Sequence, residues 1–182
     1  AEARIRNVLD RLKQASPYPE DAIPFKILDT QGKYNFKANA STTTIYFQKG
    51  YLDLLAEEYK GDPKGMEDEL LAVAGHEMAH VQRDHVAKGA ALEKGIDIKD
   101  YVFVPDFHSD AELNEQYALL ARNVRVADTI RSQEEEADLL GSRYALSAGA
   151  SPAAIKKLMD RLIADEKDDR VPLTDILKKR PQ

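Results

Sequence analysis

The sequence predicts an α+β fold, mostly helical with one small sheet. Apolar residues recur at helical spacing in several segments, of which residues 3–14 are the clearest. Aromatic and β-branched residues are enriched between residues 24 and 47, as is typical of strands. From Ser109 to about Ser147 there is no proline and only one glycine, which favours one long helix or two.

The N-terminal third contains the first helix and the predicted strands. SPYPEDAIP ends the helix of residues 3–14, and the runs PFKILDT and YNFKANASTTTIYF are interpreted as strands because turn residues flank them. A short helix is expected from Gly50 to about Tyr59. The apolar face of the first helix consists of Ile5, Val8, Leu9 and Leu12.

Two later helices have clear start signals. Asp62-Pro63 precedes a helix that is expected to continue through ELLAVAGHEMAHVQRDHVAKG, since proline suits a first helical position. Ser151-Pro152 begins the last helix in the same way. Residues 89–108 are the least regular part, and their apolar run YVFVP fits a strand, a lip over a cleft or a surface for a partner. The buried face of the last helix is predicted to be Ile155, Leu158, Met159, Leu162 and Ile163.

Composition limits the class of protein. We expect residues 1–182 to form a single domain, either whole or a piece of a longer chain, because no repeat or linker interrupts them. The net charge of −6 disfavours nucleic acid as a partner. The absence of cysteine excludes disulfides, thiolate nucleophiles and cysteine metal ligands. No apolar run reaches about 18 residues, so no transmembrane segment is predicted.

The stretch GHEMAHVQRDH, residues 75–85, points to a metal site. His76 and His80 lie four residues apart and can therefore direct two imidazoles from one helix face at one ion. Glu77 between them can act as the general base for a water molecule. The alternative is a helix whose histidines are solvated or hydrogen-bonded in the core. His85 lies nine residues after His76, and on a continuous helix it would face the opposite side and hydrogen-bond elsewhere.

A catalytic zinc ion usually has three protein ligands, so a third is needed. His108 is the only other histidine, and carboxylates are the alternative. In RSQEEEADLLG, residues 131–141, Glu134 and Asp138 share a helix face, and Ala137 would let two helices pack closely. One carboxylate could bind zinc while the other holds a ligand histidine. The alternative is a solvated acidic face.

These motifs together resemble one family. HEMAHVQRDH followed by E-x-x-A-D, with FKANASTTTIYFQKGYLDLL and ELLAVAGHEMAHV, is similar to the HtpX-like and CAAX prenyl protease family of zinc metallopeptidases, of gluzincin type. The resemblance extends from about residue 34 to 148. It implies a zincin-type metallopeptidase domain that binds one zinc per chain through His76, His80 and Glu134. It also implies that Glu77 is the base and that Asp138 supports a ligand.

The resemblance further implies where substrate binds. It puts the strand containing Thr43, Thr44, Ile45, Tyr46 and Phe47 at the sheet edge above the zinc site. An extended peptide could pair with such an edge by β-augmentation. The alternative is that this strand is internal and only builds the sheet.

We therefore predict a zinc endopeptidase that hydrolyses extended or unfolded polypeptide through a zinc-bound water activated by Glu77. The rival is a zinc-binding chaperone-like or quality-control module with little or latent proteolysis. A purely structural zinc site is disfavoured, because such a site has no use for Glu77. Candidates for an oxyanion donor are His108, Tyr117, Arg122 and Tyr144. The resemblance favours an exported protein of the bacterial periplasm or envelope over a cytoplasmic one, and a segment outside this sequence could associate it with the membrane.

Overall fold

The structure is a computed structural model, and it describes residues 1–20, 23–29, 38–88 and 110–169, with side chains except at 110–128 and 163–169. The predicted class is confirmed, because these residues form helices and one small sheet. No helix among them is both long enough and apolar enough to span a membrane. In chain order the elements are α1 (Glu2–Ala15), β1 (Phe25–Leu28), β2 (Ala38–Ala40), β3 (Ile45–Gln48), α2 (Lys49–Glu58), α3 (Pro63–Gln82), α4 (Asp110–Ser147) and α5 (Pro152–Asp169).

The helix α3 lies at the centre of the molecule. Every residue from Asp68 to Ala79 is buried, since α1, α4, α5 and the sheet all pack against this helix. Asp62 caps it by accepting a hydrogen bond from the Gly65 N–H at 2.9 Å, as the Asp-Pro signal predicts. The four apolar residues predicted to form the buried face of α1 are all buried in the same core. Core packing therefore fixes the helix that contains the histidines.

The sheet has the strand order β1-β3-β2. β1 runs parallel to β3, whereas β2 is antiparallel to β3 and places Asn39 opposite Tyr46. A tight turn joins β2 to β3, in which the Ser41 N–H donates to the Thr44 carbonyl at 2.8 Å. The described part of YNFKANASTTTIYF is therefore a hairpin, and residues 34–37 lie outside the described ranges.

The predicted edge position of Thr43, Thr44, Ile45, Tyr46 and Phe47 is wrong. Thr43 and Thr44 belong to the turn, and Ile45–Gln48 is the central strand, paired on both sides. Ile45 and Phe47 have 0% exposure. The enrichment in β-branched and aromatic residues marks the most buried strand here, whereas the edge strand beside α3 is the inconspicuous Ala38–Ala40.

α3 ends sooner than the sequence predicts. It stops at Gln82, a turn follows in which Asp84 has a φ of 55°, and residues 85–88 are helical again. Aspartate is one of the few non-glycine residues that tolerate this left-handed conformation. The direction of the chain therefore changes between the helix and His85.

The C-terminal helices largely follow the predictions. α4 is one long helix, and Ser151 caps α5 by accepting a hydrogen bond from the Ala154 N–H at 3.3 Å. The predictions for residues 89–108, including the run YVFVP, lie outside the described ranges, as does the Ile163 side chain. The remaining residues of the predicted apolar face of α5 pack in or against the core: Ile155, Leu158, Met159 and Leu162.

Candidate metal centre

Two histidines of α3 form one half of the candidate centre. The Nε2 atoms of His76 and His80 are 3.1 Å apart, as the four-residue spacing predicts. Their side chains are only 7% and 11% exposed. Packing of α3 against the other helices and the sheet therefore leaves both rings little freedom.

α4 supplies the third group. Glu134 Oε2 lies 3.5 Å from Nε2 of both His76 and His80. Four-coordinate zinc binds nitrogen and oxygen at roughly 2.0–2.2 Å in a tetrahedron, so its ligand atoms are about 3.3 Å apart. The three atoms fit such an ion. The Glu134 side chain is 48% exposed, so water can reach this carboxylate.

Asp138 lies next to the second ring nitrogen of His76. Its Oδ1 lies 3.0 Å from His76 Nδ1, and both atoms are buried from solvent. Burial disfavours a charge on His76, but the Asp138 and Glu134 carboxylates outweigh it and raise the pKa of His76 to about 10. The two histidines in turn hold the pKa of Glu134 well below its usual range. The carboxylates thus stabilise positive charge where a divalent cation would lie.

Glu77 lies on the same helix and is buried at 8% exposure. Burial raises its pKa, and nearby Glu134 adds to this effect, while His76 and His80 oppose it. The backbone N–H of Ala40 in β2 faces its carboxylate and, like the two histidines, acts to lower its pKa. A carboxylate with a raised pKa beside a metal site is suited to accept a proton and return it.

Comparison with known proteins agrees with this geometry. The model of peptidase family M48 matches residues 1–179. The chain belongs to peptidase family M48. This confirms the resemblance to HtpX-like and CAAX-type metallopeptidases. M48 members are metallopeptidases and usually depend on zinc. No curated protein and no solved structure matches the chain.

The two halves of this M48 site meet at a pair of glycines. A Cβ added to Gly141 of α4 would lie 2.5 Å from the backbone N and Cα of His76. One added to Gly75 would lie 2.7 Å from the Gly141 carbonyl oxygen. The backbones of α3 and α4 therefore touch, which brings Glu134 and Asp138 to the histidines. Ala137 was expected to permit close packing and is fully buried. Sequence reasoning missed Gly141, although it is the only glycine in α4.

The predicted orientation of His85 is wrong, because α3 ends at Gln82 and the following turn brings His85 back to the site. His85 Nδ1 lies 3.1 Å from His80 Nδ1, and its Nε2 lies 3.1 Å from Glu136 Oε2. Burial lowers the pKa of His85 although Glu136 opposes this. Arg83 also pairs with Glu136, with its Nε 2.6 Å from Oε1. Sequence reasoning had assigned Glu136 no role at the metal site.

Of the four candidate oxyanion donors, the described parts of the chain include the side chain of Tyr144 alone. Tyr144 is buried, and its pKa is raised by burial and by its neighbours Tyr18 and Glu136. His108 and the side chains of Tyr117 and Arg122 lie outside the described parts of the chain.

Proposed function

We propose that this chain is a zinc-dependent endopeptidase that cleaves extended or unfolded polypeptide. His76, His80 and Glu134 would hold one zinc ion per chain, and Glu77 would be the general base. The observation that carries the proposal is the triangle of three ligand atoms, with sides of 3.1, 3.5 and 3.5 Å, beside a buried glutamate.

In the proposed hydrolysis, zinc and the protein side chains have different roles. When bound, zinc supplies a Lewis acid that acidifies water and polarises the scissile carbonyl. Glu77 takes the proton of the attacking water at its carboxylate and delivers it to the leaving amine. Burial favours this role, since it raises the pKa of Glu77 and makes the carboxylate a better acceptor. Asp138 keeps His76 oriented through its Nδ1.

The strand β2 is the better candidate for holding substrate. Within the described residues no strand pairs with its outer side. Because Ser41 bonds to Thr44, the next pair, Ala40 and Ile45, is a non-hydrogen-bonded pair. The polar backbone groups of Ala40 and Ala38 therefore point away from β3. The Ala40 N–H already reaches Glu77, so a peptide paired with this edge would lie next to the base.

Casein cleavage by wild type, Glu77→Gln and Glu135→Gln tests the proposal. Glu135 is exposed on α4, so its variant makes the same change of charge away from the site. We expect wild type and Glu135→Gln to cleave, a chelator to abolish cleavage, and Glu77→Gln to lose about 10²- to 10⁴-fold in rate while keeping zinc.

The same assay distinguishes the proposed endopeptidase from the rival function. A zinc-binding chaperone-like module would bind casein and zinc without cleaving it, and Glu77→Gln would then behave as wild type. Cleavage by Glu77→Gln at the wild-type rate would also refute the proposed role of this residue.

A further inference from the structure

His85, in the turn after α3, links the ligand His80 to α4. Its side chain is 2% exposed and makes one contact with each ring nitrogen. Nδ1 meets His80 Nδ1 at 3.1 Å, and Nε2 meets Glu136 Oε2 at 3.1 Å. His80 Nε2 meanwhile points to the other two ligand atoms.

The direction of these hydrogen bonds follows from the chemistry of imidazole. A histidine that binds a metal through Nε2 carries its remaining proton on Nδ1. His80 Nδ1 must then donate, so His85 Nδ1 must accept. A neutral His85 in that tautomer has its proton on Nε2, where Glu136 accepts it. Each nitrogen and oxygen atom in this series of hydrogen bonds therefore has one consistent role as donor or acceptor.

The two ligand histidines are then supported in parallel ways. Asp138 meets His76 Nδ1 directly, and Glu136 meets His80 Nδ1 through His85. Both carboxylates come from the same segment of α4 as Glu134. Ligand histidines commonly need such a partner on the second nitrogen, which fixes tautomer and ring orientation.

We propose that His85 is a positioning residue that fixes the tautomer and ring orientation of the zinc ligand His80, with Glu136 holding His85 in turn. This inference rests on the proposed zinc site. The turn at Asp84 gives it a structural basis, because a continuous α3 would turn His85 away from His80.

A purely structural role is the competing explanation. His85 is buried, and through Glu136 it also ties residues 83–88 to α4. The two roles use different nitrogens, since positioning needs the acceptor at Nδ1 and tethering needs the donor at Nε2. A variant that keeps only the acceptor at the position of Nδ1, and another that keeps only the donor at the position of Nε2, therefore distinguish the two roles.

Asparagine and glutamine provide these variants. In His85→Asn the amide oxygen takes the place of Nδ1 and can accept from His80, but the link to Glu136 is lost. In His85→Gln the amide nitrogen reaches the place of Nε2 and can donate to Glu136, but the acceptor for His80 is lost. His85→Phe removes both functions. Val86→Ala is the matched control, because Val86 is exposed in the same helical turn.

The readouts are the zinc dissociation constant by chelator competition, the visible spectrum of the cobalt(II)-substituted protein and the thermal midpoint. We expect His85→Phe to weaken zinc binding about 10- to 100-fold. His85→Asn should bind zinc more tightly than His85→Gln and keep a cobalt spectrum closer to wild type. Val86→Ala should match wild type.

Equal zinc affinities and cobalt spectra in wild type, His85→Asn and His85→Gln would overturn the inference, as would tighter binding by His85→Gln. If His85→Phe does not fold, the asparagine and glutamine pair still decides. Failure of the proposed zinc site has a separate signature, because wild type itself would then not bind zinc. Failure of the proposed peptidase activity alone would appear in the casein assay and leave the comparison of zinc affinities valid.

Discussion

Replacing Gly141 by alanine should distort the proposed metal site without changing any of its proposed ligands. The new methyl group would lie 2.5 Å from His76 N and Cα and 2.7 Å from Gly75 C. Carbon atoms in favourable contact are about 3.5–4.0 Å apart, so α4 would have to retreat by about 1 Å. The obstructing atoms belong to the backbone, which cannot relieve the clash by changing rotamer as a side chain can.

The expected loss of zinc affinity follows from how little change in ligand distance a metal site tolerates. Ligand distances must hold to within about 0.2 Å, whereas Glu134 and Asp138 would move with α4. Helix propensity alone would stabilise the alanine variant by about 1 kcal/mol, and overpacking would cost about 1–3 kcal/mol. We therefore expect zinc affinity to fall on the order of 10-fold or more, together with a lower thermal midpoint.

Chelator competition and thermal unfolding, each run with and without zinc, provide the assay. Ser142→Ala is the control, since it raises helix propensity at the next position, which is only half-buried. The steric argument fails if Gly141→Ala binds zinc as tightly as wild type and melts at a higher temperature.

Three further predictions concern the ligands and the substrate strand. Asp138→Asn should weaken zinc binding or activity about 10- to 100-fold, and unchanged values for both would show that Asp138 does not position a ligand histidine. Glu134→Ala should lose zinc in equilibrium dialysis while Glu135→Ala keeps it, and the reverse result would show that the ligand is misassigned. Ala38→Pro should keep the fold and zinc but slow casein cleavage, because it removes an outward N–H of β2, whereas Asn39→Pro should lower the thermal midpoint by breaking a bond to β3. Equal effects of both prolines would place peptide binding elsewhere.

Local sequence patterns predicted the elements that depend on local physics. The spacing of Ile5, Val8, Leu9 and Leu12 identified the buried face of α1, and Asp62-Pro63 located the start of α3. The H-E-x-x-H spacing also predicted that His76 and His80 share a face. Each signal lies within a few residues of the feature it predicts.

Other features depend on contacts between distant parts of the chain. The approach of α4 to α3 rests on Gly75 and Gly141, which are 66 positions apart in sequence. The central position of β3 depends on two partner strands, and composition alone cannot separate a buried central strand from an edge strand. The sequence around Asp84 contains no glycine or proline, so the end of α3 could not be predicted, and the position of His85 was therefore missed.

Titration of zinc into metal-free protein, with casein cleavage followed at each step, tests the central claim most directly. The proposed site predicts no cleavage without metal, a linear rise and a break at one zinc per chain. Cleavage by the metal-free protein, or none at full zinc occupancy, would contradict the account.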